Sequence, residues 1–164
     1  MAIAGKDIKD MHLNASARGA HAIRLPGSST LAGLVLRAGT AAALVIDAAT
    51  HLQDAHFYGP NAGSLLTQGQ LFQAQSVIAL VLAAAVLAWP RRLAWAIAFV
   101  VAASACGAVV LYTYVNVGPL AGLPNMYEPS WGPPGKLVSA IAEGAGALLA
   151  LCGLGWATYR RRPS

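Results

Sequence analysis

The segment "LAGLVLRAGTAAALVIDAATH" (residues 31–51) holds 21 residues and only two formal charges, Arg37 and Asp47. A helix rising 1.5 Å per residue crosses the roughly 30 Å hydrocarbon core of a bilayer in about 20 residues, so this stretch reads as a membrane span. Three further runs have the same character, at about 65–89, 93–115 and 137–159. Together they predict an all-α fold, a four-helix transmembrane bundle. A flexible tail (1–30) precedes the membrane domain (31–159), and a short basic tail (160–164) follows it. With 57% hydrophobic and 10% charged residues over 164 positions and a mean hydropathy of +0.56, the chain lacks the polar surface a soluble domain of this length needs. The lipid bilayer is the expected partner.

The net charge of +5 and isoelectric point near 9.6 do not point to nucleic acid, because of where the charges lie. Arg91 and Arg92 separate spans two and three, Arg160, Arg161 and Arg162 close the chain, and Lys6, Lys9, Arg18 and Arg24 precede span one. Apart from Arg91 and Arg92, residues 52–135 contain no Lys or Arg. The positive-inside rule then puts both termini and the middle turn in the cytoplasm and the loops near 52–64 and 116–135 outside, as expected of a multi-pass plasma-membrane protein. In the N-terminal tail Ile8, Met11, Ala15 and Ala22 could form one side of an interfacial helix, but Gly19, Pro26 and "GSST" (27–30) favour a loose segment. Cys106 and Cys152 sit within spans three and four with no C-x-x-C spacing, which reads as packing rather than thiol-disulfide chemistry.

Continuing outward, "VIDAATHLQDAHFYGPNAG" (45–63) gathers Asp47, His51, Asp54 and His56. Thr40, Asp47, His51 and Asp54 recur at spacings of seven, four and three, one stripe of a helix. Lipid-facing ionisable groups cost about 3 kcal/mol each at the bilayer centre, so the stripe should face the bundle interior or the outer boundary. Span four carries a matching stripe of Lys136, Ser139, Glu143, Gly146, Ala150 and Gly153. Counted from the expected outer boundary at 1.5 Å per residue, Glu143 and Asp47 both lie roughly 6 to 10 Å deep. Span two opens with "LLTQGQLFQAQS" (65–76), in which Thr67 and Gln70 have capping-box spacing. Only two of Gln68, Gln70, Gln73 and Gln75 can face inward. Span three ends in Tyr112, Thr113, Tyr114 and Asn116.

All four spans are thus polar in their outer third, and the polarity stops about halfway. A conduction path would continue through the membrane; an outward-facing pocket fits better. The loop "GPLAGLPNMYEPSWGPPGK" (118–136), with five prolines, reads as an ordered cap over that pocket, because Leu120, Leu123, Met126 and Trp131 gain by leaving water and the prolines lower the cost of ordering.

The combination of the span-one "D-x-x-x-H-L" (47–52), the "G-Q-L-F-Q-A-Q" opening of span two (69–75) and "LPNMYEPSW" (123–131) ahead of a Lys-led, Glu-containing last span resembles uncharacterised small four-span integral membrane proteins of high-GC Gram-positive bacteria. The resemblance covers about residues 31–158 and implies a fold and a membrane, with no activity attached.

Asp47 and His51, one turn apart, with Glu143 at the same depth, offer the carboxylate and imidazole donors of a divalent metal site, with His56 as a further candidate ligand. A small ligand, including a quinone-type headgroup, would meet Asp47, His51, Glu143, Gln75, Tyr112, Tyr127 and Glu128. In the alternative, Asp47 and His51 form an intrahelical pair and Glu143 pairs with Lys136 or with donors from spans two and three. The aromatic residues would then anchor the bundle at headgroup level. Three readings follow: a pocket that binds metal or ligand, a non-catalytic accessory subunit of a homo-oligomer or larger membrane complex, and a proton- or ion-coupled transporter component. No reaction type is implied.

Overall fold

A computed structural model of the chain describes residues 28–59, 64–120, 122–132 and 134–160; the predicted N-terminal tail up to residue 27 and the arginines after 160 lie outside these. Among the described residues the fold has four helices, α1 (Ser28–Asp54), α2 (Gln68–Ala88), α3 (Arg92–Tyr114) and α4 (Pro134–Tyr159), with a 3-10 turn at Ala55–Phe57 after α1. No strand occurs among the described residues. All four helices are long and apolar enough to cross a membrane. Their outer surfaces carry Val35, Val81, Val100 and Leu148, each more than half exposed, the reverse of the arrangement in a water-soluble bundle.

The helix ends follow local chemistry. Thr67 caps α2 through a complete capping box: its Oγ1 accepts from Gln70 N at 3.0 Å, and Gln70 Oε1 accepts from Thr67 N at 2.9 Å. That places the start of α2 at Gln68, three residues later than its apolar run suggests. Conversely α4 starts at Pro134, before the expected 137, because proline suits a helix's first turn, and α1 continues to Asp54, beyond the expected 51.

Packing runs α2–α1–α4–α3 around the bundle, with extensive seams between those neighbours. The ring is closed by a much thinner seam between α2 and α3, although these two are joined by only Trp89–Arg91. The core is built of small residues, Ala79, Ala83, Ala98, Ala102, Ala147 and Ala150, around Leu44, Val86 and Trp95. Helices in a lipid surrounding would have no hydrophobic gain between them, so close van der Waals approach would have to hold them. The small stripe of α4 serves this purpose. Gly146 faces Ala43 of α1, and Gly153 lies flat against the Trp95 ring with no room for a Cβ.

A second close approach sets the wide end of the bundle. Gly69, in the first turn of α2, lies against the carbonyls of Ala55 and Tyr58, where a Cβ would overlap backbone. Because backbone cannot rotate away, Gly69→Ala is expected to push the 55–58 turn off α2 and destabilise the protein by about 1–3 kcal/mol. A melting temperature in detergent equal to that of the unsubstituted protein would contradict this contact.

The proline-rich loop packs on the same end, as its composition predicts. Leu65 N donates to Gly122 O at 2.8 Å and Glu128 N to Tyr112 O at 3.0 Å, while Lys136 Nζ donates to the carbonyls of Glu128 and Ser130. Lys136 also sits 5.2 Å from the centre of the Trp131 ring, a cation–π contact. Leu123 and Met126 turn inward, whereas Leu120 stays half exposed.

Candidate functional site

The two polar stripes predicted on α1 and α4 face each other. Asp47, His51, Ser139 and Glu143 are all buried, with Asp47 and Glu143 each 2% exposed. One ligand atom from each of Asp47, His51 and Glu143 falls within 4.8 Å of the others. Helical periodicity brings each stripe to the seam, and the α1–α4 packing sets the register.

His51 Nδ1 lies 2.9 Å from Asp47 Oδ1 and 3.1 Å from the carbonyl of Asp47. Two acceptors around one ring nitrogen put the proton of a neutral imidazole on Nδ1, leaving Nε2 as an acceptor. Nε2 faces Glu143 Oε1 at 3.8 Å, beyond a hydrogen bond but within the span that one ion closes at about 2 Å per ligand bond. The edge of Phe72 packs on the ring, centroids 4.9 Å apart, and fixes its plane.

The carboxylates have unequal support. Gln75 Nε2 donates to Asp47 Oδ2 at 3.2 Å, and Ser139 Oγ lies 3.0 Å from Glu143 Oε1 and 3.3 Å from Asp47 Oδ1. The single Ser139 proton can serve one of these oxygens at a time. Glu143 Oε2 is buried with no hydrogen-bond partner among the described residues, a costly condition for a carboxylate.

Above this group a cavity of about 340 Å³ opens toward the proline-rich loop. His51, Ser139 and Glu143 form its polar floor. Leu71, Phe72 and Gln75 of α2, Ala105, Ala108, Val109 and Tyr112 of α3, and Leu123 and Met126 of the loop form its walls. Tyr58, at its rim, keeps its phenol proton to higher pH than usual because it is part-buried and lies near Glu128 and Asp54, so it remains a donor.

The structure brings together most of the expected residues. Asp47, His51, Glu143 and Gln75 form the polar group, and Tyr112 and Glu128 line the cavity. Of the four glutamines, Gln68 and Gln75 turn inward and Gln70 and Gln73 outward. His56 and Tyr127 do not join. His56 is exposed on the 3-10 turn with its ring on Phe57, centroids 4.1 Å apart. Tyr127 is exposed, its N–H held by Asn125 Oδ1 at 3.1 Å. The suggested Lys136–Glu143 pair is also absent, because Lys136 is committed to loop carbonyls; the intrahelical Asp47–His51 pair is present. Ser139, Phe72 and Tyr58 belong to the site without having been singled out as ligand-binding residues. Ser139 was detectable, four residues before Glu143 on the same stripe, whereas Phe72 and Tyr58 look like ordinary apolar and interfacial residues. No protein family, curated protein or solved structure matches this chain.

Proposed function

We propose that the chain is a multi-pass protein of the cell membrane, akin to the small four-span proteins it resembles, whose outward-facing pocket holds a divalent metal ion between His51 and Glu143. The supporting observation is a shortage of donors. The side-chain protons of His51 Nδ1, Ser139 Oγ and Gln75 Nε2 face two carboxyl groups, and the buried Glu143 Oε2 receives none. In a low-dielectric site this deficit calls for a cation or a shared proton. Glu143 and His51 Nε2 supply ligands of the type that suits zinc, manganese or iron. Asp47, whose oxygens are engaged by His51, Ser139 and Gln75, orients the imidazole as outer-shell carboxylates do. Both ligands border the cavity, so the ion would keep coordination positions open toward it, where it could polarise a bound oxygen.

Metal analysis of the purified, dialysed protein tests this directly: about one ion per chain is expected. Metal-free protein would overturn the reading and favour a shared proton within an accessory subunit, whose polar stripes lock the helices or dock a larger complex. Binding is preferred to conduction because the stripe below Asp47 continues as Leu44 and a buried Thr40 with no polar partner among the described residues.

The outward orientation rests on charge. Arg92 Nη2 donates to Thr158 O at 3.3 Å, so the Arg91–Arg92 turn and Arg160 share one end of the bundle, opposite the cavity. In a background with Cys106 and Cys152 replaced by Ala, Asn125→Cys is expected to react with a membrane-impermeant maleimide on intact cells and Arg91→Cys only after lysis. The reverse pattern would invert the topology.

A further inference from the structure

The cavity's walls identify the route to its floor. The outer mouth is tied down at three places: Leu65 N to Gly122 O, Glu128 N to Tyr112 O, and Lys136 Nζ to the carbonyls of Glu128 and Ser130. Among the described residues no hydrogen bond joins α2 to α3 across the lateral side. There the cavity is bounded by Leu71 and Phe72 of α2 and by Ala105, Ala108 and Val109 of α3, all half-buried, along the thinnest helix seam in the bundle. Among the described residues the cavity lining from α2 and α3 is apolar apart from Gln68, Gln75 and Tyr112, so a hydrated solute would lose its water shell on crossing it, whereas an apolar molecule already in the bilayer would not.

The floor sets the other end of the occupant. His51 Nε2 and the Glu143 carboxylate are both acceptors, so an occupant that meets them directly must bring a hydrogen-bond donor, which a hydroxyl does; an ion held between them would instead take an oxygen ligand in its open positions. A hydroxylated aromatic ring satisfies both conditions. The aromatic edge of Phe72 and the thioether of Met126 line its path, surfaces that favour ring contacts. Tyr112, Gln68 and Tyr58 border the cavity as further hydrogen-bonding groups. A volume of about 340 Å³ lies at the small end of ligand pockets, suiting one ring with its chain left in the seam.

We infer that this pocket takes a lipid-soluble molecule of the phenol or quinol class, which enters from the bilayer between α2 and α3 and places its hydroxyl at the His51–Glu143 pair. The inference rests on the proposed pocket function and extends it from an ion to the ion's partner. Its test uses the full chain in phosphatidylcholine nanodiscs with a 4-alkylphenol carrying a diazirine in its chain. Photolabel is expected on Leu71, Phe72, Ala105, Ala108 or Val109, to be displaced by decylhydroquinone, and to fall about tenfold in Ala108→Trp, which fills the seam. Val110→Trp, at a lipid-exposed position of the same helix, should leave labelling unchanged. Zinc uptake is measured in parallel in Ala108→Trp. If that variant loses zinc as well, the smaller Ala105→Leu replaces it, with the same expected loss of label. Label spread evenly over the lipid-facing surface, or undiminished in a seam variant that still takes up zinc, overturns the inference. Seam labelling in a protein that takes up no metal supports the entry route and removes the ion alone, with the hydroxyl then donating to Glu143 directly.

Discussion

Glu143→Gln is expected to abolish metal retention, whereas Asp47→Asn should weaken it by about 10- to 100-fold, the range seen when an outer-shell partner of a metal-bound imidazole is altered. The two acids share one depth and one cluster, so a simple charge count would assign them equal effects. Their hydrogen bonds distinguish them. Glu143 Oε2 is buried and unpartnered, the best-placed anionic ligand in the group, and a carboxamide removes its charge. Asp47 is engaged at both oxygens, by His51 and Ser139 on one and Gln75 on the other. An asparagine there keeps an acceptor for the Nδ1–H of His51 only if its NH₂ turns toward Gln75, whose amide must then turn over to offer an oxygen; the opposite orientation sets a donor against a donor at His51, at a cost of about 1–3 kcal/mol, and in both cases the charge that holds the imidazole is gone. Titration with zinc, followed by metal analysis and by competition with a chelator, separates the cases. Equal and complete loss in both variants would make Asp47 a direct ligand. Undiminished binding in Glu143→Gln would remove the site.

The second large effect concerns stability. Trp95→Ala should destabilise the bundle by about 3–5 kcal/mol, and Gly153→Leu by about 1–3 kcal/mol through overpacking. Trp95 is 0% exposed and is the largest fully buried side chain among the described residues. Its ring lies on Gly153 of α4, within a core otherwise made largely of alanine. Removing it leaves a void that small neighbours on rigid helices cannot close. Thermal or SDS unfolding in mild detergent measures the loss; a change within about 0.5 kcal/mol for Trp95→Ala, the range of an ordinary surface substitution, would mean that α3 is held on α4 by other contacts. Neither position touches the polar cluster, so zinc affinity in the folded fraction should be unaffected, which separates packing from ligation.

How far the site could be read in advance depended on the range of the interaction concerned. Asp47, His51, Ser139 and Glu143 fall on stripes because a helix repeats every 3.6 residues, and a carboxylate in an apolar run has to turn away from lipid. Those two facts are local and suffice to predict that the acids meet. The Thr67–Gln70 capping box is equally local, and it forms as its spacing implies. His56 and Tyr127 lie beside the site in sequence or in its loop, but the direction of a side chain in a short turn depends on the contacts around it. His56 settled on Phe57, and Tyr127 was turned outward by the Asn125 bond to its backbone.

Length, hydropathy, charge and helical period are properties of a chain read along its length, and they sufficed for the four apolar helices, the basic end, the polar third opposite it and the pairing of the α1 and α4 stripes. The packing of the helices was needed to show which nitrogen of His51 faces Asp47, which carboxylate oxygen is left without a donor, that Lys136 serves the loop rather than Glu143, and that α2 and α3 part enough to leave a cavity. These outcomes depend on differences of about an ångström between helices whose packing is set by many small residues at once, and no single stretch of sequence encodes such a difference.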